Sequence, residues 1–175
     1  MRCFTGEECS GWLRDRNIID LKPGESPYLF GEYELMVHAP QRARMQSILA
    51  REMVEWFGPY ESLLCWVDDW PFYKPEEMAI LSAIRRASGE TRHLIDARGH
   101  LFLADEVDVL TGFLALLMNY GWDGYFYPQP FRGHCFQTSH EDFVWMLTSD
   151  RTQFQKSLDI ASKHSLQTIR RTEAE

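Results

Sequence analysis

Gly121-Trp122-Asp123-Gly124-Tyr125-Phe126-Tyr127-Pro128-Gln129-Pro130-Phe131-Arg132-Gly133-His134-Cys135-Phe136-Gln137 is the stretch on which the fold turns. Tyr125-Phe126-Tyr127 and His134-Cys135-Phe136-Gln137 are rich in aromatic residues and read as two strands. Pro128, Pro130 and Gly133 between them are turn residues. A connection this short returns the chain antiparallel, because a parallel pair needs a crossover of about a dozen residues or more. The hairpin therefore points to an α+β fold.

Upstream, Val107, Leu110, Leu114, Leu117 and Met118 recur at helical spacing, and Val109, Phe113 and Leu116 make the remaining faces apolar. The pattern predicts a central helix over 105–120, with Asp105 as N-cap, Asp108 at the reciprocal position and Gly121 as a left-handed C-cap. Ser62-Leu63-Leu64-Cys65-Trp66-Val67 is a short apolar run that suits a buried strand, ended by Asp68-Asp69-Trp70-Pro71. Pro75-Glu76-Glu77 opens a helix with Met78, Leu81 and Ile84 as its inner stripe, closed by Gly89. His93-Leu94-Ile95-Asp96 and His100-Leu101-Phe102-Leu103 read as brief strands. Nearer the start, Thr5 and Glu8 form a capping box for a helix carrying Trp12 and Leu13. A strand is expected over Tyr28 to Val37, and a helix from Pro40 carrying Met45, Ile48, Leu49, Met53 and Trp56.

Downstream, Thr138 with Glu141, or Ser139 with Asp142, is spaced to cap a helix through Phe143, Val144 and Leu147. Thr152 to about Arg171 reads as the last helix, with Phe154, Leu158, Ala161 and Ile169 on one face. The polar tail 170–175 is expected to fray. The sum is one globular domain over 1–175, with a mixed sheet of short strands packed against about six helices. A doubly wound parallel sheet is the second choice, since the strands lack the pure Val/Ile runs of that class.

Composition narrows the function. The chain has 175 residues, 45% hydrophobic and 14% aromatic, which is enough for a real core. Eighteen Lys and Arg against 26 Asp and Glu leave a net charge of −8. That balance argues against a nucleic-acid binder and suits a basic protein partner. No apolar leader opens the sequence and no apolar run is long enough for a bilayer, so a cytoplasmic protein without a membrane partner is expected. Cys3, Cys9, Cys65 and Cys135 are scattered and read as reduced thiols. Neither GxGxxG nor GxxxxGK[ST] occurs, nor GxSxG, nor HExxH, so no cofactor or metal is expected and binding is favoured over catalysis.

Two aromatic clusters stand out. Asp68, Asp69, Trp70, Phe72 and Tyr73 combine carboxylates with interface-type aromatics, the makings of a face for a basic protein. A homodimer through the same aromatics is the other occupant. Trp122, Asp123, Tyr125 and Tyr127 are the candidate lining of a small-ligand pocket, against the plainer reading of a turn anchored by a core tryptophan. A third class is a small hydrolase or metal-dependent phosphodiesterase, with Asp68, Asp69, Asp96 and a histidine at a strand end, and Asp105 or Glu106 as further acids. Among the histidines, His134 and Cys135 are neighbours on a strand and point to opposite faces, so they do not share a site. His140 lies beside a cap, and His93 and His100 bracket Asp96 and Arg98. Each of these also reads as an ordinary structural residue.

The segment Gly99-His100-Leu101-Phe102, Glu106, the apolar helix, Gly121-Trp122-Asp123-Gly124-Tyr125 and Ser139-His140-Glu141-Asp142-Phe143 resembles small bacterial proteins of the polymorphic-toxin immunity type. The likeness covers Gly99 to Phe143 and consists of turn and cap residues. It implies an inhibitor that binds its target and carries over no catalytic residue.

Overall fold

In the computed structural model, residues 1–22, 24–71 and 75–172 are described. In chain order they form β1 (Arg2–Phe4), α1 (Gly6–Arg14), β2 (Tyr33–His38), α2 (Ala43–Trp56), β3 (Ser62–Asp69), α3 (Pro75–Ala87), β4 (Gly99–Leu103), α4 (Val107–Tyr120), β5 (Asp123–Gln129), β6 (His134–Thr138), β7 (Phe143–Thr148), α5 (Arg151–Lys163) and β8 (Thr168–Thr172). The eight strands make one sheet in the order β1-β4-β3-β5-β6-β7-β2-β8. Every neighbouring pair is antiparallel. The fold is α+β, and the parallel alternative is excluded.

Strand alternation divides the apolar residues between two cores. Leu35, Val37, Leu63, Cys65, Val67, Phe126, Phe136, Val144 and Met146 join the cluster built with α2, α4 and α5. Leu64, Trp66, Leu101, Tyr127, Cys135 and Leu147 join the one built with α1 and with Ile18, Ile19 and Leu21 of the following coil. Burial on both faces explains why β3 is apolar from Leu63 to Val67 and does not alternate with polar residues.

The second layer depends on close approach. Thr5 Oγ1 accepts from the Glu8 amide at 3.1 Å and Glu8 Oε2 accepts from the Thr5 amide at 2.7 Å, the expected capping box. That box fixes where α1 begins and how it lies over β4. A Cβ on Gly99 would overlap the Cys9 sulfur and come 2.9 Å from Phe4 Cβ, so only glycine lets α1 and β1 pack there.

Several sequence expectations are corrected. Among the described residues there are five α-helices, where about six were expected, and the sheet dominates. Residues 143–148 are strand β7 and not a capped helix. Ser139 Oγ accepts from the Glu141 amide and Asp142 takes φ 60°, so the polar residues that mimic a helix cap close a strand-to-strand turn. The last helix stops at Lys163, because Ser165 adopts φ 51°, and 168–172 returns as β8 beside β2. Residues 170–172 thus belong to a strand; 173–175 lie outside the described residues.

The first long strand spans Tyr33–His38, later than expected, and α2 begins at Ala43 rather than at Pro40. Leu94–Asp96 is a 3₁₀ turn and not a strand. A second 3₁₀ turn, Ala104–Glu106, precedes α4, and Glu106 rather than Asp105 closes the corner by accepting from the Leu103 amide at 2.8 Å. On α4, Val109 is exposed, while Leu110, Phe113, Leu114, Leu117 and Met118 are buried. On α3 the inward face carries Glu77, Leu81 and Arg85, and Met78 turns outward.

Candidate functional site

β3 ends where β5 begins, and a bulge aims their carboxylates. Val67 pairs with Gly124 and Asp69 with Asp123, so Asp68 is the extra residue on β3. The two neighbouring aspartates consequently serve different surroundings. Asp68 meets Arg98, whose Nη1 donates to the Asp68 carbonyl at 3.0 Å and lies 3.4 Å from its carboxylate. Asp69 is exposed, and its Oδ1 accepts from the Trp70 amide at 2.8 Å.

The β6–β7 turn lays His140 over the same end of the sheet. Its amide donates to Asp123 Oδ1 at 2.7 Å, and ring Nδ1 stands 3.0 Å from both Asp123 oxygens. Gly121, at φ 62°, caps α4, and a Cβ on it would come 3.5 Å from His140 Cα, so helix end and turn lie close together. Thr138 Oγ1 donates to the Trp122 carbonyl at 2.9 Å and accepts from the Gly124 amide at 3.2 Å. These two bonds from one β6 side chain fix the residues before and after Asp123.

Asp69, Asp123 and His140 each offer a ligand atom within 4.8 Å of the others. The hydrogen bond from His140 to Asp123, followed by the charges of Asp123, Asp69 and Glu141, raises the histidine above its ordinary 6.5. Burial, reinforced by Asp68 and Asp123, pushes the Tyr125 hydroxyl up to about 12. Asp123 contributes to both shifts, behind burial in the case of Tyr125. Chemically the site can hold a cation between carboxylates, or meet the guanidinium and ammonium groups of another protein.

The structure unites parts of the two expected clusters and separates others. Asp69 and Asp123 come together across the β3–β5 pair. Trp70 is half-buried, its ring 5.4 Å from that of Trp122 and 5.8 Å from that of His100. Phe72 and Tyr73 lie outside the described residues. Trp122 and Tyr127 are fully buried and belong to cores on opposite faces of the sheet. Trp122, Asp123, Tyr125 and Tyr127 therefore do not line one pocket.

Among the further acids, Asp96 and Asp105 are exposed in 3₁₀ turns, and Glu106 pairs with the Met1 amino group. None of the three belongs to the Asp69–Asp123–His140 set. His134 and Cys135 point apart as expected, with His134 Nδ1 at 2.8 Å from Thr148 Oγ1 and the Cys135 thiol toward the Phe30 carbonyl. Sequence reasoning did not link His140 to Asp69 and Asp123. The available signal was an aspartate at one end of each of two apolar runs. No family model, curated protein or solved structure matches this chain.

Proposed function

We propose that the protein acts by binding a basic partner protein through the acidic end of its sheet, in the manner of an immunity-type inhibitor. The observation that carries this reading is the meeting of Asp69 of β3, Asp123 of β5 and His140 of the β6–β7 turn within 4.8 Å of one another, in a chain of net charge −8. Such a face steers a positive surface toward itself and rejects an acidic one. The half-buried Trp70 at its edge supplies rigid aromatic area of the kind that anchors interfaces. The test is native mass spectrometry of protein captured from its own cells, beside the double variant Asp69→Lys, Asp123→Lys. A stoichiometric basic polypeptide held by the parent and lost from the variant is expected. Equal capture by both removes this face from the function.

A second reading is favoured by the three ligand atoms alone: a divalent cation held by Asp69, Asp123 and His140, as a metal-dependent hydrolase would require. Two carboxylates and an imidazole suit Mn²⁺ or Zn²⁺ better than Mg²⁺. Calorimetric titration with MnCl₂ and ZnCl₂ checks it. Binding abolished by Asp123→Asn and His140→Gln supports this reading; absence of heat with both ions overturns it.

A further inference from the structure

Away from the acidic end, a cavity of about 380 Å³ lies between the C-terminal half of α3 and the chain from Glu90 to Ile95. Its charge runs against that of the molecule. Arg85, Arg86 and Arg92 line it with a single carboxylate, Glu90. Arg92 already occupies both Glu90 oxygens through Nε at 3.0 Å, which holds the Glu90 carboxyl at about 2. Among the described residues, neither Arg85 nor Arg86 has a carboxylate partner.

Arg85 is the unusual one. It is 2% exposed, yet its guanidinium meets only neutral acceptors: the carbonyls of Ala97 at 2.6 Å, His93 at 3.4 Å and Arg92 at 3.5 Å, with His100 Nε2 at 3.1 Å. Carbonyls satisfy its hydrogen bonds but do not cancel its charge; Glu90, the carboxylate whose field reaches it, already has both oxygens bonded by Arg92, and a buried ion whose charge is only partly cancelled is costly. The lip of the same cavity carries Ile95 and Met78, at 70% and 51% exposure two of the most exposed large apolar side chains described. A cationic floor under an apolar lip has the form of a small-molecule site, and the volume falls within the usual range of about 300–1,000 Å³.

We propose that this cavity binds a small amphiphilic oxyanion, a phosphate or carboxylate on an apolar body. The oxyanion lies between the guanidinium of Arg86 and the field of Arg85, and the apolar body rests on Ile95 and Met78. Arg86, exposed at the rim, makes the direct charge-assisted contact, and buried Arg85 positions the 92–97 segment and supplies the second positive charge.

The experiment is calorimetric titration of the full chain with phenyl phosphate, benzoate, phenol and inorganic phosphate. Phenyl phosphate is expected to bind tightest, benzoate more weakly, and phenol not at all. Arg86→Gln, at an exposed position, should weaken phenyl phosphate about tenfold, and Arg86→Lys should restore most of that loss. Ile95→Asn should weaken phenyl phosphate while leaving inorganic phosphate unchanged. Absence of binding by both aromatic anions, or affinity that Arg86→Gln does not alter, overturns the proposal. Because these residues are distinct from Asp69, Asp123 and His140, failure here leaves the acidic-face reading standing, and failure there leaves this one.

Discussion

His140 and His100 mark two ends of one electrostatic contrast. His140 is 42% exposed at the acidic sheet end, and Asp123 draws its proton on. His100 is fully buried; burial, with the Arg85 cation beside it, pushes its pKa down to about 3. One imidazole is held toward the charged form and the other is kept neutral, by surroundings built on one sheet. The difference teaches where electrostatics contributes to folding and where it is left free for recognition. Around Arg85 the hydrogen bonds are taken up by the fold, and only the charge reaches the cavity beside it. Around His140, Asp123 is bonded by the His140 amide and ring, and Asp69 faces solvent.

The sharpest way to break this contrast is to delete its buried cation. Arg85→Met removes the donor to three carbonyls, and leaving them unpaired should destabilise the protein by about 3 kcal/mol or more. Asp123→Asn at the other end should shift the same urea midpoint far less. Equal losses from the two variants would mean that both sites are structural in the same sense.

Acid separates the histidines by sign. His100 has a depressed folded pKa, so its contribution is complete above about pH 6.5 and lost as the pH falls toward 3. The slope from this one group is up to about 1.4 kcal/mol per pH unit. His100→Gln keeps an acceptor for Arg85 and should flatten that slope between pH 6.5 and pH 4, read from denaturation midpoints across pH. An unchanged slope would assign acid sensitivity to carboxylates such as Glu90.

The smallest expected effect sharpens the opposite end. His140 has a raised folded pKa, so its pair with Asp123 stabilises fully below the unfolded pKa and is lost as the pH rises through the folded one. As an exposed pair it should be worth less than about 1 kcal/mol, so the measurement is an NMR titration of the ring and not a melt. In the parent, His140 should titrate above 6.5; in Asp123→Asn its midpoint should fall. A midpoint that stays put would separate His140 from Asp123 in solution.

Local chemistry made part of this architecture legible in advance. The Thr5/Glu8 box, the apolar run of β3, the hairpin of β5 and β6, and the Gly121 cap all depend on residues close in sequence. β7 was misread because Thr138, Ser139, Glu141 and Asp142 fit the spacing of a helix cap and of a strand turn equally well. The period-two placement of Val144 and Met146 against Trp145 and Leu147 was the better guide. β8 carries one apolar residue, Ile169: Thr168-Ile169-Arg170-Arg171-Thr172 is exposed throughout and is a strand because β2 offers it backbone partners.

The α3 stripe was right for Leu81 and Ile84 and wrong for Met78, because Glu77 and a buried arginine share the inward side. The candidate site was legible only in pieces. Asp69, Asp123 and His140 meet through strand register, and one bulged residue decides which of two adjacent aspartates faces which partner.

The sheet order has a kinetic consequence. β1 closes one edge only after β4 exists, and β8 closes the other by pairing with β2, whose residues are met more than a hundred positions earlier in the chain. In a chain emerging from the ribosome β2 is therefore unpaired until residues 143–148 are made, and half-paired until residues 168–172 follow. During that interval an open strand is available to chaperones or to other nascent copies. Such distant pairings favour slow folding, since loop closure must precede the contacts that reward it. Arg170 and Arg171 arrive last and put charge on that edge as it closes, with Arg170 3.0 Å from Glu34 on β2. Completion of the fold and protection against edge-to-edge association are thus a single event.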